Sequence, residues 1–286
     1  MIKRNKDKGH DIDGDRLLTG LAQKLIAAEE KDVDRMMGNP IHGAIKTNCV
    51  TLFDQLIAKG VNAYSKNAQE ENSLHVAVRS KQLGFLRRLL ESGAPTDEQN
   101  KNGATALFLA CGANYTEAAQ ILLEFGANPD IATQNGSLAL YSATNNDNLE
   151  LVKALLERGA DTNSKSAVTG NKSALHAAAG KANKEIIKLL VTHGADINAI
   201  DNSGSRPIDL VDLLEHRPEQ AQKARDCFRL LISLGAEFKL QNEDNPSVRD
   251  RVAKELYSAI LSEDITKGFD DVKATPSASK RSSLGL

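Results

Sequence analysis

Apolar positions in this chain come in blocks. From residue 40 to residue 235, a short apolar run alternates with a longer one-sided run, and each pair of runs closes on a glycine. The longer runs, such as "LGFLRRLLESG", "EAAQILLEFG", "LELVKALLERG" and "KEIIKLLVTHG", carry apolar residues at i, i+3 and i+4, which predicts amphipathic helices. The shorter runs, "IHGAI", "LHVAV", "LFLAC", "LYSAT" and "LHAAA", predict short helices with small residues where a neighbouring helix must come close. Polar stretches such as "NPDIATQNGS" and "DINAIDNSGS" return the chain, with Gly103, Gly136 and Gly204 suited to tight turns.

The blocks recur with a period. Gly60, Gly93, Gly126, Gly159, Gly194 and Gly235 each end a Leu- or Ile-rich helix, at spacings of 33, 33, 33, 35 and 41 residues. Ile41, Leu74, Leu107, Leu140, Leu175 and Ile208 form a second ladder, spaced 33, 33, 33, 35 and 33. Two registers that agree over four consecutive intervals define a repeat. One unit cannot bury its apolar face alone, but a stack of units can.

This unit resembles the ankyrin repeat, in which a hairpin finger, a Thr-Pro-Leu-His turn and two antiparallel helices recur. The resemblance covers about residues 38–238. It implies an all-α solenoid of about six helix-pair repeats with β-hairpin fingers and helical caps, divided near 38–70, 71–103, 104–136, 137–171, 172–204 and 205–238. The turn tetrad is never intact. Proline survives as Pro40 and Pro207; the threonine column holds Thr105 and Ser173 but also Leu138 and Arg206; the histidine column holds His42, His75 and His176 but also Phe108, Tyr141 and Asp209. In the family this histidine ties one turn to the neighbouring finger, so His75 is expected to be structural rather than catalytic.

The ends of the array are irregular. Residues 1–14 are expected to be flexible, 15–37 to form an N-terminal helical cap, 239–266 a C-terminal helical cap, and 267–286 a disordered tail rich in Ser, Gly and charge. In the sixth unit "EHRPEQAQ" adds residues between the two helices, with Pro218 placed to open the second.

Composition adds constraints. Aromatics make up 4% of the chain and there is no Trp, which fits thin layers of small helices. A formal net charge of −2 gives no electrostatic reason to expect nucleic-acid binding. No run of eighteen apolar residues suggests membrane insertion. The N-terminus has no Sec-type leader, and Cys49, Cys111 and Cys227 sit in apolar contexts that fit a reducing, cytoplasmic setting.

Candidate chemistry is sparse. "DIDGD" opens like a calcium loop, but Arg16 stands where that loop needs Gly and Ala22 where it needs a bidentate Glu. No phosphate loop, dinucleotide fingerprint or zinc motif is present, and a Cys111–His176 nucleophilic pair would use two packing positions. No enzyme activity, metal or cofactor is therefore expected, the alternative being a cryptic enzyme site in the irregular 205–262 region. "LLERGADTN" and "LLVTHGADIN" look like the pattern modified by the asparaginyl hydroxylase of the hypoxia response, which singles out Asn163 and Asn198. Acidic residues followed by small polar ones, with Leu284 and Leu286 at the end, look similar to the translocation signals of type IV-secreted bacterial effectors, a class that often uses ankyrin arrays.

The expected function is protein–protein interaction through the concave face and finger tips of a monomeric array, with an effector role on a host protein in the host cytosol as its specific form. The candidate partner-binding residues are Lys46, Arg79, Lys101, Tyr115, Asn145, Asn146 and Lys181. Lys46, Arg79 and Lys181 share a sign, which suits an acidic peptide or loop.

Overall fold

The computed structural model describes residues 39–211, 218–238 and 248–263. The expected N-terminal cap, the "DIDGD" segment, most of the "EHRPEQAQ" insertion's start and the tail beyond 263 lie outside the described residues.

Five helix pairs follow one another: α1 (Pro40–Lys46) with α2 (Val50–Ala58), α3 (Ser73–Arg79) with α4 (Leu83–Glu91), α5 (Ala106–Gly112) with α6 (Thr116–Glu124), α7 (Ala139–Asn145) with α8 (Leu149–Glu157), and α9 (Ala174–Gly180) with α10 (Lys184–Thr192). First helices are seven residues long and second helices nine. First helices pack on first helices and second on second, so the core is a strip along the array. The ladder residues Ile41, Leu74, Leu107, Leu140, Leu175 and Ile208 are all buried, as are Leu86, Leu122 and Leu155 of the second helices. Each such side chain contributes roughly 1.5–3 kcal/mol when fully buried.

Two tight features hold the pairs in shape. The turn from first to second helix passes through a left-handed residue that is never glycine: Asn48, Lys81, Asn114, Asp147 and Ala182, with φ between 52° and 58°. The second helix then stops at a glycine, as at Gly93 (φ 87°), where the Ala94 N–H donates to Leu89 O at 3.0 Å.

The fingers are turns more than strands. Each is closed by backbone bonds such as Asn100 N–H to Ala104 O (3.0 Å) and Gly103 N–H to Asn100 O (2.8 Å). Among the described residues a ladder long enough to form strands occurs once, where β1 (Lys165–Ser166) pairs antiparallel with β2 (Lys172–Ser173) around the 3-10 turn Ala167–Thr169. That finger carries the two extra residues of the 35-residue spacing.

The sixth unit departs further. Its first helix is a single 3-10 turn, Pro207–Leu210, after which Val211 is extended (φ −69°, ψ 120°). Val211 occupies the column held by Ala44, Ala77, Ala110, Ala143 and Ala178 in the other units. A β-branched residue is larger than that alanine and stiffer in a helix, and the helical path ends at this position. Pro218 opens α11 (Pro218–Ser233), and α12 (Val248–Glu263) packs on it through Phe238, whose ring lies 5.5 Å from Phe228 and 5.7 Å from Tyr257.

Candidate functional site

The concave side is built by the finger tips and the first helices, and its geometry follows from how neighbouring fingers are tied. One backbone N–H of each finger donates to a carbonyl of the finger before it: Lys101 to Gln69 (2.9 Å), Gln134 to Asn102 (3.0 Å), Ala167 to Gly136 (3.1 Å) and Asn202 to Gly170 (2.8 Å). Contact at Gly103 is so close that a Cβ there would lie 2.5 Å from the Gln134 nitrogen.

The histidine column adds a second tie. His75 Nε2 lies 2.8 Å from Ala104 O, and His176 Nε2 3.1 Å from Ser205 O, each reaching the next unit's finger. Both rings are buried, and burial lowers both pKa values, although the neighbouring carbonyls pull the other way. At the sixth unit Asp209 takes the column's local role, its carboxylate accepting from the Arg206 N–H at 2.9 Å.

Phe108 has no donor for this tie and among the described residues the Tyr141 hydroxyl makes none; the structure places both rings differently. Both rings are half-exposed on the concave side. Phe108 and Leu109 line an open compartment of about 480 Å³ bounded by Arg79, Asn102, Gln134 and Ser137. Tyr141 lines a second of about 210 Å³ with Ser142, Asn145, Ser166 and Thr169, and Ser137 borders both. The result is a groove across the middle of the array. The substitutions are visible in the sequence as breaks in the histidine column; that they leave aromatic surface facing a groove is visible only in the fold.

The candidate residues distribute unevenly over this face. Arg79 borders the groove, but its Nε is 2.7 Å from Glu71 Oε1, so its charge is already matched. Asn145 is an exposed groove residue. Asn146 is tied down, its amide donating to Cys111 O (3.0 Å) and Gly112 O (3.3 Å). Lys101 is exposed at a finger tip, Lys46 ends α1, and Lys181 follows α9, so the two terminal lysines stand apart from the groove's neutral centre. Tyr115 sits at the turn before α6, half-buried, with its hydroxyl 3.4 Å from Lys81 O.

Asn163 and Asn198 are latches between units. Asn163 donates to Gly194 O (2.9 Å) and accepts from the Asp196 N–H (2.7 Å); Asn198 donates to Gly235 O (3.4 Å) and accepts from the Glu237 N–H (2.7 Å). Asp97 and Asp130 make the acceptor half of the same latch, to Asn128 and Asp161, both at 2.9 Å.

The Cys111 thiol is buried in the core, and burial pushes its pKa up to about 12, which removes it as a nucleophile at neutral pH. Among the described residues no group of three His, Cys, Asp or Glu side chains is placed to hold a metal, and no helix is long and apolar enough to cross a membrane.

Residues 74–166 match the family model for ankyrin repeats in three copies, and residues 170–202 match that for a single ankyrin repeat. No curated protein matches the chain. Among solved structures, the ankyrin repeat domain of Bcl-3, a unique member of the IkappaB protein family, is similar in fold. It is 24% identical with a TM-score of 0.62, over 77% of this chain and 97% of that one. Residues 74–166 and 170–202 are ankyrin repeats, and the protein folds as an ankyrin-repeat solenoid.

Proposed function

We propose that the chain is a non-catalytic binding module that holds a partner protein in the groove across its central repeats. Ankyrin repeats are protein-interaction modules, and nothing in the family matches points to chemistry. The observation that carries the reading is the groove itself: apolar surface from Phe108, Leu109 and Tyr141 is left half-exposed on a face that the fingers hold rigid. Aromatic anchors in a firm, polar-rimmed depression are where binding energy concentrates.

The test is affinity capture with three versions of the protein. Ser142→Arg/Asn145→Arg fills the groove; Glu185→Lys/Lys188→Glu alters exposed positions of α10. The reading requires a partner retained by the wild type and the α10 variant and lost from the groove variant. Equal retention by all three rejects it.

A narrower version follows from the tail. Glu263, Asp264, Asp270 and Asp271 followed by small polar residues and Leu284 and Leu286 fit a C-terminal delivery signal. On that version the protein is a bacterial effector, monomeric, delivered to a host protein in the host cytosol. A reporter fused to the last thirty residues should enter host cells in a secretion-dependent way; exclusion of the fusion removes the effector assignment while leaving the binding role untouched.

A further inference from the structure

We infer that the groove's occupant is an uncharged polypeptide segment of the partner, anchored by a bulky apolar side chain between Phe108 and Tyr141, rather than an acidic one. This deepens the binding role above and rests on it.

Three observations point the same way. First, the histidine column is interrupted by aromatics in two consecutive units, the third and fourth, whereas the sixth carries Asp209. A ring without an N–H cannot reach the next finger as His75 and His176 do, and among the described residues the Tyr141 hydroxyl has no hydrogen-bond partner. The array gives up two inter-unit ties at the place where it gains apolar surface. Second, the groove lining carries no unmatched charge. Apart from Tyr141, Arg79 is its one ionisable side chain, and Glu71 neutralises it. An acidic segment would have to displace Glu71, whereas an uncharged one meets amides and hydroxyls that can take its main-chain groups. Third, the longer fourth finger carries an exposed apolar side chain, Val168 (54% exposed), next in the chain to Thr169 of the groove edge. Charge complementarity therefore selects a neutral segment, and the aromatic pair selects its anchor.

The probe is a random twelve-residue peptide library panned on the full chain, with titration of the enriched peptides. The decisive variants are Phe108→His and Tyr141→His. Each puts an imidazole back into a column where imidazole supports the fold, so lost binding is separable from lost stability by a urea transition on the same samples; Tyr141→Ser provides a second, smaller replacement at a half-exposed position.

The expected result is a consensus with one large apolar residue in uncharged surroundings. Affinity should change less than about twofold between low and high salt, as for contacts without unscreened charge, and fall by about tenfold or more in the histidine variants. Enriched peptides that are acidic and lost on Arg79→Glu, or that survive Phe108→His and Tyr141→His while still being excluded by Ser142→Arg, overturn the inference alone. Enrichment of no peptide, or only of peptides indifferent to Ser142→Arg, overturns both it and the groove-binding role.

Discussion

Imidazole suits the corner of a repeat because its two nitrogens face different units. At His176, Nδ1 accepts from the Ser173 N–H (3.2 Å) and lies 2.8 Å from the Ser173 hydroxyl, so Nε2 carries the proton and donates to Ser205 O. A second proton, on Nδ1, would meet a donor in a buried place. Burial likewise holds His42 down to about 4, with the Lys46 ammonium adding to the effect. The unfolded chain takes up its proton near pH 6.5 while the folded rings resist, so these residues contribute stability that is complete above pH 6.5 and is lost as pH falls below it, for His42 on the way to about 4. The urea midpoint should accordingly fall between pH 7 and pH 4.5. Because His42 Nδ1 has no partner, His42→Gln should cost little at pH 7 and flatten part of that slope. A midpoint indifferent to pH across this range contradicts the assignment. His176→Ala, by contrast, should lose roughly 2 kcal/mol at pH 7, from a buried hydrogen bond and the space left behind.

Helix pairs and their turns were legible because their determinants are local. The i, i+3, i+4 spacing, the closing glycines and the alanine column all act within one unit, so the period carried them into the sequence. What was not legible depended on contact between units. The fingers read as hairpins, yet only the two-residue insertion makes one long enough for strands; the Arg79 charge read as free, yet the fold sets Glu71, eight residues earlier, against it. The sixth unit's first helix gives way to extended backbone at Val211, where the alanine column is broken. The left-handed turn between helices offers a test at this scale. Three of its five residues are Asn or Asp, which tolerate that conformation, whereas Lys81 sits at φ 56° with an exposed side chain. Lys81→Asn should relieve backbone strain and raise stability by about 0.5–1 kcal/mol, read as a higher urea midpoint with an unchanged slope. A lower midpoint would show that the lysine side chain contributes something at the turn that its exposure does not reveal.

Among the described residues the ties between units join neighbours: the finger ladder, the histidines at 29 residues and the asparagine and aspartate latches at 31 to 39. Nothing among these bonds skips a unit, so stability should be close to a sum of unit terms and interface terms. Asn163 tests this, since it supplies both halves of the latch between the fourth and fifth units. Asn163→Ala removes the acceptor for the Asp196 N–H and the donor to Gly194 O, both at the surface where water can replace them, and should cost about 1 kcal/mol. In a one-dimensional stack that loss stays local. Hydrogen exchange should quicken in the peptides covering residues 149–204 and remain unchanged in those covering 40–91. Equal acceleration at both places would mean that the array opens as one cooperative unit, with coupling beyond nearest neighbours. The distinction bears on binding, because the groove reaches from Arg79 in the second region to Ser166 and Thr169 in the first: a local stack can loosen its fourth finger, with Val168 at its tip, while the Phe108 compartment keeps its shape.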